Sequence, residues 1–489
     1  VTSEKYPAVT AQCTVNVRPN DKINTSPASF EIAYGNRLEG SLADKVTNTT
    51  GEELVYSLYE APTHGVMTLN EDGTFVYAPG IYPKEAREVS SKKTDWEGSG
   101  WPEGSMSGLG GNYSFKVLVT AGEESAILEG TIVEKDLADT LKALDLTDNH
   151  LLFSKESIEK VKEAIKVEGS FKQKSWKAFE DYLKILAKST PPKYEGEDNE
   201  EGVWQRDVAD GTVMLIVGYL ITGEEVYKNK SLEYALPIAS YPYWSEKEKY
   251  GEGNLTAAHN AFAVSMVYDW LKDDPVMTES AKQTILNKLY YTGQCLYRER
   301  TKDTAYMHNI HIITNAALLT VATTLYLDSD DAAQIIKVDI DPSHEGKNFS
   351  GEITDGELKA DCVEWIKWVC GDLGQSLYWL SENDSAFEGY NYFEYATSFL
   401  LSALLIFDEE YNIDVFTGNK YLENITDFVP YIVMPDNHLS NRIFTFDYND
   451  GYRYSKGENV PIMSVLASKY QNSTARYMAE KVFEKGVDK

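Results

Sequence analysis

The texture of the chain changes once, between about residues 135 and 150, and that change limits what it can fold into. Before it, short runs of alternating apolar and polar residues recur between turn signals: Leu54–Leu58, Gly65–Leu69, Thr74–Tyr77, Tyr113–Val119 and Ala126–Ile132. A period of two puts alternate side chains on one face, so these runs predict half-buried β-strands. Asn70-Glu71-Asp72-Gly73 sits between two of them as a hairpin turn. Regular short strands of this kind predict a small β-sandwich. Residues 86–112, with Trp96, Trp101 and many Gly and Ser, break the rhythm and read as a long loop.

After residue 150 the period becomes helical. Ser154 and Ser157 offer caps, and Ile158, Val161 and Ile165 recur at helical spacing. Further amphipathic stretches occupy 170–188, 205–222, 254–272, 278–298, 305–327, 356–381, 390–408, 418–434 and 472–486. Gly223 and Pro275 read as helix stops. No strand-like run of equal quality follows until Asn441–Phe446. About ten to twelve helices exceed a four-helix bundle, and no fixed-period repeat marks a solenoid. The predicted architecture is multidomain β plus α: a β-sandwich over 1–137, a linker over 138–149 and paired helices in an (α/α) toroid over 150–489. A chain of 489 residues also exceeds the usual single core.

Net charge is −31 and the pI about 4.6, which argues against a nucleic-acid partner and against adhesion to anionic membranes. A polyanionic substrate would need a locally basic cleft. No window reaches the roughly 18 uninterrupted apolar residues of a membrane span, so no membrane insertion is expected. The chain opens at Val1 without a basic and apolar leader; a secreted or cell-surface location is expected, with any signal peptide removed or outside this sequence. Cys13, Cys295, Cys362 and Cys370 form no CxxC pair. On a helix Cys362 and Cys370 lie about 12 Å apart, too far for a disulfide, so buried thiols are expected. No metal motif and no cofactor are predicted.

Two segments carry candidate chemistry. His308-Asn309-Ile310-His311 places two histidines three apart at the head of an apolar helical run, with Asn315 on the same stripe. The plain alternative is a helix cap and a core histidine. Glu388-Gly389-Tyr390-Asn391-Tyr392-Phe393-Glu394-Tyr395 crowds three phenols into the mouth of another helix. Tyr392 and Tyr395 share a face; an aromatic core stripe is the alternative for one of the three. Glu388 suits a helix start or could orient a histidine.

Several segments resemble known families. Pro62-Thr63-His64-Gly65 followed by Leu69-Asn70-Glu71-Asp72-Gly73-Thr74-Phe75-Val76-Tyr77-Ala78-Pro79 is similar to cadherin-like and bacterial immunoglobulin-like modules, which makes His64 a turn residue. The helical region resembles the heparinase II/III-like polysaccharide lyases, a group acting on alginate and glycosaminoglycans. The matching pieces are Leu151–Ile158, Leu220–Tyr227, Ala261–Trp270 ending in Tyr268-Asp269-Trp270, Asn309-Ile310-His311, and Glu388–Tyr395. The interval from His311 to Tyr392 is longer than in the family, which fits an acidic, loop-like insertion over 329–358. The family also carries a β-sandwich after its toroid, with a further histidine; here the sequence ends while still helical, and His438 is the only local stand-in.

The resemblance implies a lyase that cleaves a uronate-containing polysaccharide by β-elimination. The C5 proton is weakly acidic because the adjacent carboxylate resists further negative charge. Hydrogen bonds from Asn309 and a histidine would neutralise it and stabilise the enolate-like intermediate. Tyr392 or His311 is the expected base, with Tyr392 returning a proton to the leaving oxygen. A free phenol titrates near about pH 10, so a base role needs nearby positive charge, from His308, Arg206 or Arg442. Arg206 could instead pair with Asp207 or Asp210. Glu388, Tyr390 and Tyr395 complete the expected binding set, and Trp204, Trp244 and Tyr243 are candidates for stacking on sugar rings. Two alternatives stand beside this reading: a glycoside hydrolase using two carboxylates among Asp207, Asp269, Asp384 and Glu388, and a non-catalytic carbohydrate-binding surface protein.

Overall fold

The computed structural model describes residues 22–81, 110–144, 150–195, 204–244, 254–300, 306–328, 336–340, 347–383, 388–434, 443–446 and 459–486. Cys13, Trp96, Trp101, Asp384, His438 and Arg442 lie outside them. The chain is helix-rich, with its larger β-sheets in the N-terminal part.

The β unit begins with β1 (Ile23–Thr25), β2 (Ala28–Ile32), β3 (Leu38–Ser41), β4 (Val46–Asn48) and β5 (Val55–Glu60). It continues with β6 (Val66–Leu69), β7 (Thr74–Ala78), β8 (Gly111–Ala121) and β9 (Glu124–Glu134). One sheet has the order β2-β9-β8-β5 and another β3-β7-β6, while β1 pairs with β4. Phe75 on β7 meets Phe30 on β2 and Phe115 on β8, at ring separations of 5.1 and 6.5 Å, so the two larger sheets share one aromatic core. The hairpin expected at Asn70–Gly73 is present. Gly73 N–H donates to Asn70 O, and Asp72 accepts from the backbone and hydroxyl of Thr74. Residues 111–112, expected in the long loop, open β8.

The helical part begins within the stretch expected to be a linker. Residues Leu137–Ala143 form α1, capped by Asp136 and anchored by buried Leu137 and Leu141. Then come α2 (Lys155–Ala164), α3 (Phe171–Leu186), α4 (Trp204–Thr222), α5 (Glu225–Ser240), α6 (Leu255–Leu271) and α7 (Glu279–Arg300). After α8 (Asn309–Leu327) a hairpin, β10 (Ile336–Ile340) with β11 (Lys347–Glu352), occupies the stretch expected to be a loop-like insertion. Its Ile336-Lys337-Val338-Asp339-Ile340 alternates with the strand period. The chain continues through α9 (Asp355–Asn383), α10 (Tyr390–Tyr411), α11 (Lys420–Ile432), the short ribbon β12 (Val433–Met434) with β13 (Phe444–Thr445), α12 (Asn459–Lys469) and α13 (Ser473–Gly486).

Packing alternates along the chain. Helices α4, α6, α8, α10 and α12 form a row in which each touches the next, while α5 packs on α4 and α6, α7 on α6 and α8, α9 on α8 and α11 on α12. α6 and α8 are apolar and buried almost all round, as the middle of such a row requires. By length and composition α8 could cross a membrane, yet 83% of that window is buried inside the protein. Core burial accounts for its apolarity. The Tyr268-Asp269-Trp270 motif works at the far end of α6: Asp269 accepts from Leu151 N–H at 2.8 Å, Trp270 stacks on His150 at 3.9 Å, and Tyr268 donates to Asp328. Cys295, Cys362 and Cys370 are buried, and burial pushes the thiols of the latter two well above the usual range.

Close helix packing gives a direct test. A Cβ on Gly293 of α7 would lie 2.4 Å from the rigid Trp365 ring of α9. Gly293→Ala is expected to lower unfolding stability by about 1–3 kcal/mol. Gly356→Ala, in the first turn of α9 with nothing within 4 Å, should be neutral or stabilising by about 0.5–1 kcal/mol. Urea denaturation of the two variants reads both signs.

Candidate active site

One group of polar contacts in the row from α4 to α10 sits in the first two turns of the helices it joins, while Tyr411 Oη donates to Thr323 Oγ1 at the opposite end of α10 and α8. Arg206 Nε donates to Thr256 Oγ1 at 3.2 Å, tying α4 to α6. Asn260 Nδ2 donates to Gln205 Oε1 at 2.9 Å, and Gln205 Nε2 reaches Tyr243 O. His259 bridges α4 and α10: its Nδ1 lies 2.9 Å from Asp210 Oδ1 and its Nε2 2.7 Å from Tyr395 Oη. At the start of α12, Asn459 Nδ2 donates to Tyr390 Oη and its N–H to Glu394 Oε1. The helices therefore bring their N-terminal ends together. The positive ends of helix dipoles accumulate there, a setting that favours anions.

Local sequence explains the placement. Asn254 caps α6 by accepting from Thr256 and Ala257 N–H, which sets Thr256 and His259 one turn apart on one face. Arg206 and Asp210 are likewise one turn apart on α4. The result is two rungs, Arg206–Thr256 nearer the helix starts and Asp210–His259–Tyr395 one turn deeper, about 5 Å below. Tyr392, one turn before Tyr395, falls in the upper layer and is 36% exposed.

The turn into α10 makes the second cluster. Gly389 takes φ +100°, a conformation open essentially to glycine alone, and delivers Glu388 to the head of α8. Glu388 Oε2 accepts from Asn309 N–H at 2.6 Å; Oε1 accepts from Asn309 Nδ2 at 2.9 Å and lies 3.1 Å from His308 Nε2. His308 Nδ1 accepts from Ile310 N–H as the helix cap, so the proton sits on Nε2, which donates to Glu388. Asn309 is 3% exposed, and its Oδ1 has no hydrogen-bond partner among the described residues.

The expected site residues separate into groups. Arg206, Asn309, His308, Glu388, Tyr392 and Tyr395 lie at the helix starts. Tyr390 is fully buried and bonded to Asn459, a packing residue. His311, expected as a base, is fully buried: Nε2 lies 3.4 Å from Asp372 Oδ2, which also accepts from Asn315 Nδ2 and Trp368 Nε1. It holds α8 to α9. Trp244, expected to stack on sugar, is buried and donates to Ile238 O. Trp204 is half-buried against Tyr194 and Tyr241. Burial pushes Tyr241 up to about 12, so it stays a neutral donor, to Pro192 O. Arg442 lies outside the described residues.

His259 and its partner Asp210 are the residues the sequence reading missed. The available signal was a His-Asn pair inside the otherwise small and apolar Leu255-Thr256-Ala257-Ala258-His259-Asn260-Ala261. The ion pair weighed for Arg206 does not form: its guanidinium makes no ion pair among the described residues, although Asp207 and Asp210 share its helix. Among the described residues no group of His, Cys, Asp and Glu has metal-binding geometry.

No protein-family model matches the chain, and no curated protein matches it. A solved structure of a polysaccharide lyase aligns with 95% of this chain at 12% identity and a TM-score of 0.32. The chain spans 57% of that protein's length. At this distance the likeness fixes neither fold nor chemistry.

The Glu388 clamp yields a prediction. Glu388→Ala removes a charged acceptor from three donors in a partly buried setting. It should lower stability by roughly 1.5–3 kcal/mol, read by urea denaturation. Gly389→Ala should cost a similar amount, about 1–3 kcal/mol, through backbone strain.

Proposed function

We propose that this chain is a polysaccharide lyase that cleaves a uronate-containing polysaccharide by β-elimination. One observation carries the reading: the half-buried Arg206 guanidinium, held by a neutral hydroxyl and unpaired with carboxylate among the described residues, lies one turn above a phenol–imidazole pair. In a chain with 77 acidic and 46 basic residues, a cation left unpaired beside converging helix starts suits an incoming carboxylate. β-Elimination needs that juxtaposition. Arg206 neutralises the uronate carboxylate and stabilises charge as C5 loses its proton, while a phenol works on the adjacent carbon. Asn309, fixed by Glu388, has one unpartnered amide oxygen among the described residues beside this cluster, and Tyr392 lines the approach. His311 has no part in this version of the site, and Tyr392 passes the proton-transfer role deeper.

The row of helices is read as an arc of an (α/α) toroid, with the N-terminal unit an accessory module of the cadherin-like or immunoglobulin-like kind and the protein secreted or surface-bound. A hydrolase is the weaker reading. Of the carboxylates weighed for it, Asp269 is bonded to Leu151 N–H at the far end of α6 and Glu388 is committed to Asn309 and His308, so the two do not oppose each other across the helix starts.

Incubation with heparan, chondroitin, hyaluronan, alginate and ulvan should yield, for at least one polymer, the near-ultraviolet absorbance of a C4–C5 double bond conjugated to carboxylate. New reducing ends without that absorbance would instead mark a hydrolase. Arg206→Ala should lower kcat/KM by about 100-fold or more. Arg206→Lys should recover only part of this, since an ammonium lacks the bidentate fork.

A further inference from the structure

His259 is 8% exposed, and each of its ring nitrogens has a partner. A carboxylate only accepts, so the 2.9 Å contact to Asp210 Oδ1 requires the proton on Nδ1. In the neutral ring Nε2 then carries a lone pair, and the 2.7 Å contact to Tyr395 Oη has the phenol donating to it. The imidazole is fixed in plane as well. The Tyr395 ring lies alongside it, with centroids 5.7 Å apart, and the edge of Phe399 closes another side at 4.9 Å. Asp210 is 63% exposed, so the chain of bonds runs from water, through a buried imidazole, to a phenol beneath the Arg206 rung.

We infer that Asp210, His259 and Tyr395 form the proton-transfer unit of this site, with Tyr395 as the base and acid that meets the sugar, His259 as acceptor of the phenol proton, and Asp210 as a positioning residue. The inference rests on the lyase reading above. The Tyr395 O–H proton moves to His259 Nε2, leaving a phenolate beside an imidazolium that Asp210 stabilises. The phenolate oxygen takes the C5 proton, and the C5–H electron pair becomes the C4–C5 π bond. The C4–O bond breaks with its pair on the departing oxygen, which receives a proton from Tyr395 Oη. The phenolate–imidazolium pair is restored, and no oxidant, reductant or other reactant is consumed. This assigns to Tyr395 the role that the sequence pattern gave to Tyr392, because Tyr395 is the phenol bonded to an imidazole.

The test has two arms on the full chain. In the first, protein labelled with 15N-histidine is examined by long-range 15N–1H correlation at a pH where histidines are neutral, with His259 assigned by its loss in His259→Gln. The expected signature is a protonated Nδ1 and a bare Nε2. A proton on Nε2 overturns the relay, whatever the protein's activity. In the second, turnover is followed by product absorbance. His259→Gln and Tyr395→Phe should each lose about 1000-fold or more in kcat. Asp210→Asn should lose about 10- to 100-fold in kcat with KM held within two-fold, a split that a merely structural role would not give. Active wild type with His259→Gln within five-fold of it overturns the relay alone. Wild type silent on every polymer overturns the lyase reading, and with it the catalytic role, while the tautomer in the first arm still decides the geometry.

Discussion

The starts of α4, α6, α8 and α10 meet, and side chains from local caps and from neighbouring helices hold them there. A helix cannot pair its first N–H groups internally, so buried helix starts need side-chain partners. Some of those partners are local caps, Asn254 for α6 and His308 for α8, and others come from beside a neighbouring helix, Glu388 for the head of α8 and Glu394 for that of α12. Arg206–Thr256 and Gln205–Asn260 add side-chain ties between helices. The polar network is therefore a condition of packing the row as well as a chemical site. Its far end is built differently. There Asp269, Tyr268 and Trp270 bind the opening of the helical region and the last turn of α8.

Burial divides the polar residues by role. His311 and His259 stand at comparable depth in neighbouring helices, but their surroundings differ. His311 shares Asp372 with an amide and an indole inside a completely covered core, an arrangement that fixes two helices. His259 stands between an exposed carboxylate and a phenol near the helix starts, where a proton has somewhere to go. Net charge sharpens the contrast for Arg206. In a chain of net charge −31, its guanidinium bonds the Thr256 hydroxyl and makes no ion pair among the described residues.

Much of the architecture was legible in the sequence because it follows local periodicity. The hairpin at Asn70–Gly73 and every amphipathic stretch after residue 150 coincide with an element, their ends differing by a few residues. What escaped has physical reasons. α5 carries Pro237 inside it, which breaks the local helical signal although packing between α4 and α6 keeps the helix. The β10–β11 hairpin is too short to stand out in an acidic stretch. At the site, the clusters at His308 and Glu388 were visible because their residues crowd together in sequence. Asp210, His259 and Tyr395 belong to three helices, and only tertiary packing joins them. Local spacing singled out Tyr392 and His311; the fold puts the first near the surface and the second in the core.

The central claim is that His259 and Tyr395 act as one unit. A double-mutant cycle in turnover tests it most directly, comparing His259→Gln, Tyr395→Phe and the double variant under saturating uronate polymer. If the two work together, removing the second costs almost nothing once the first is gone, and the double variant matches the more damaged single one. Losses that multiply would contradict the account, because they would mean that phenol and imidazole serve the reaction independently.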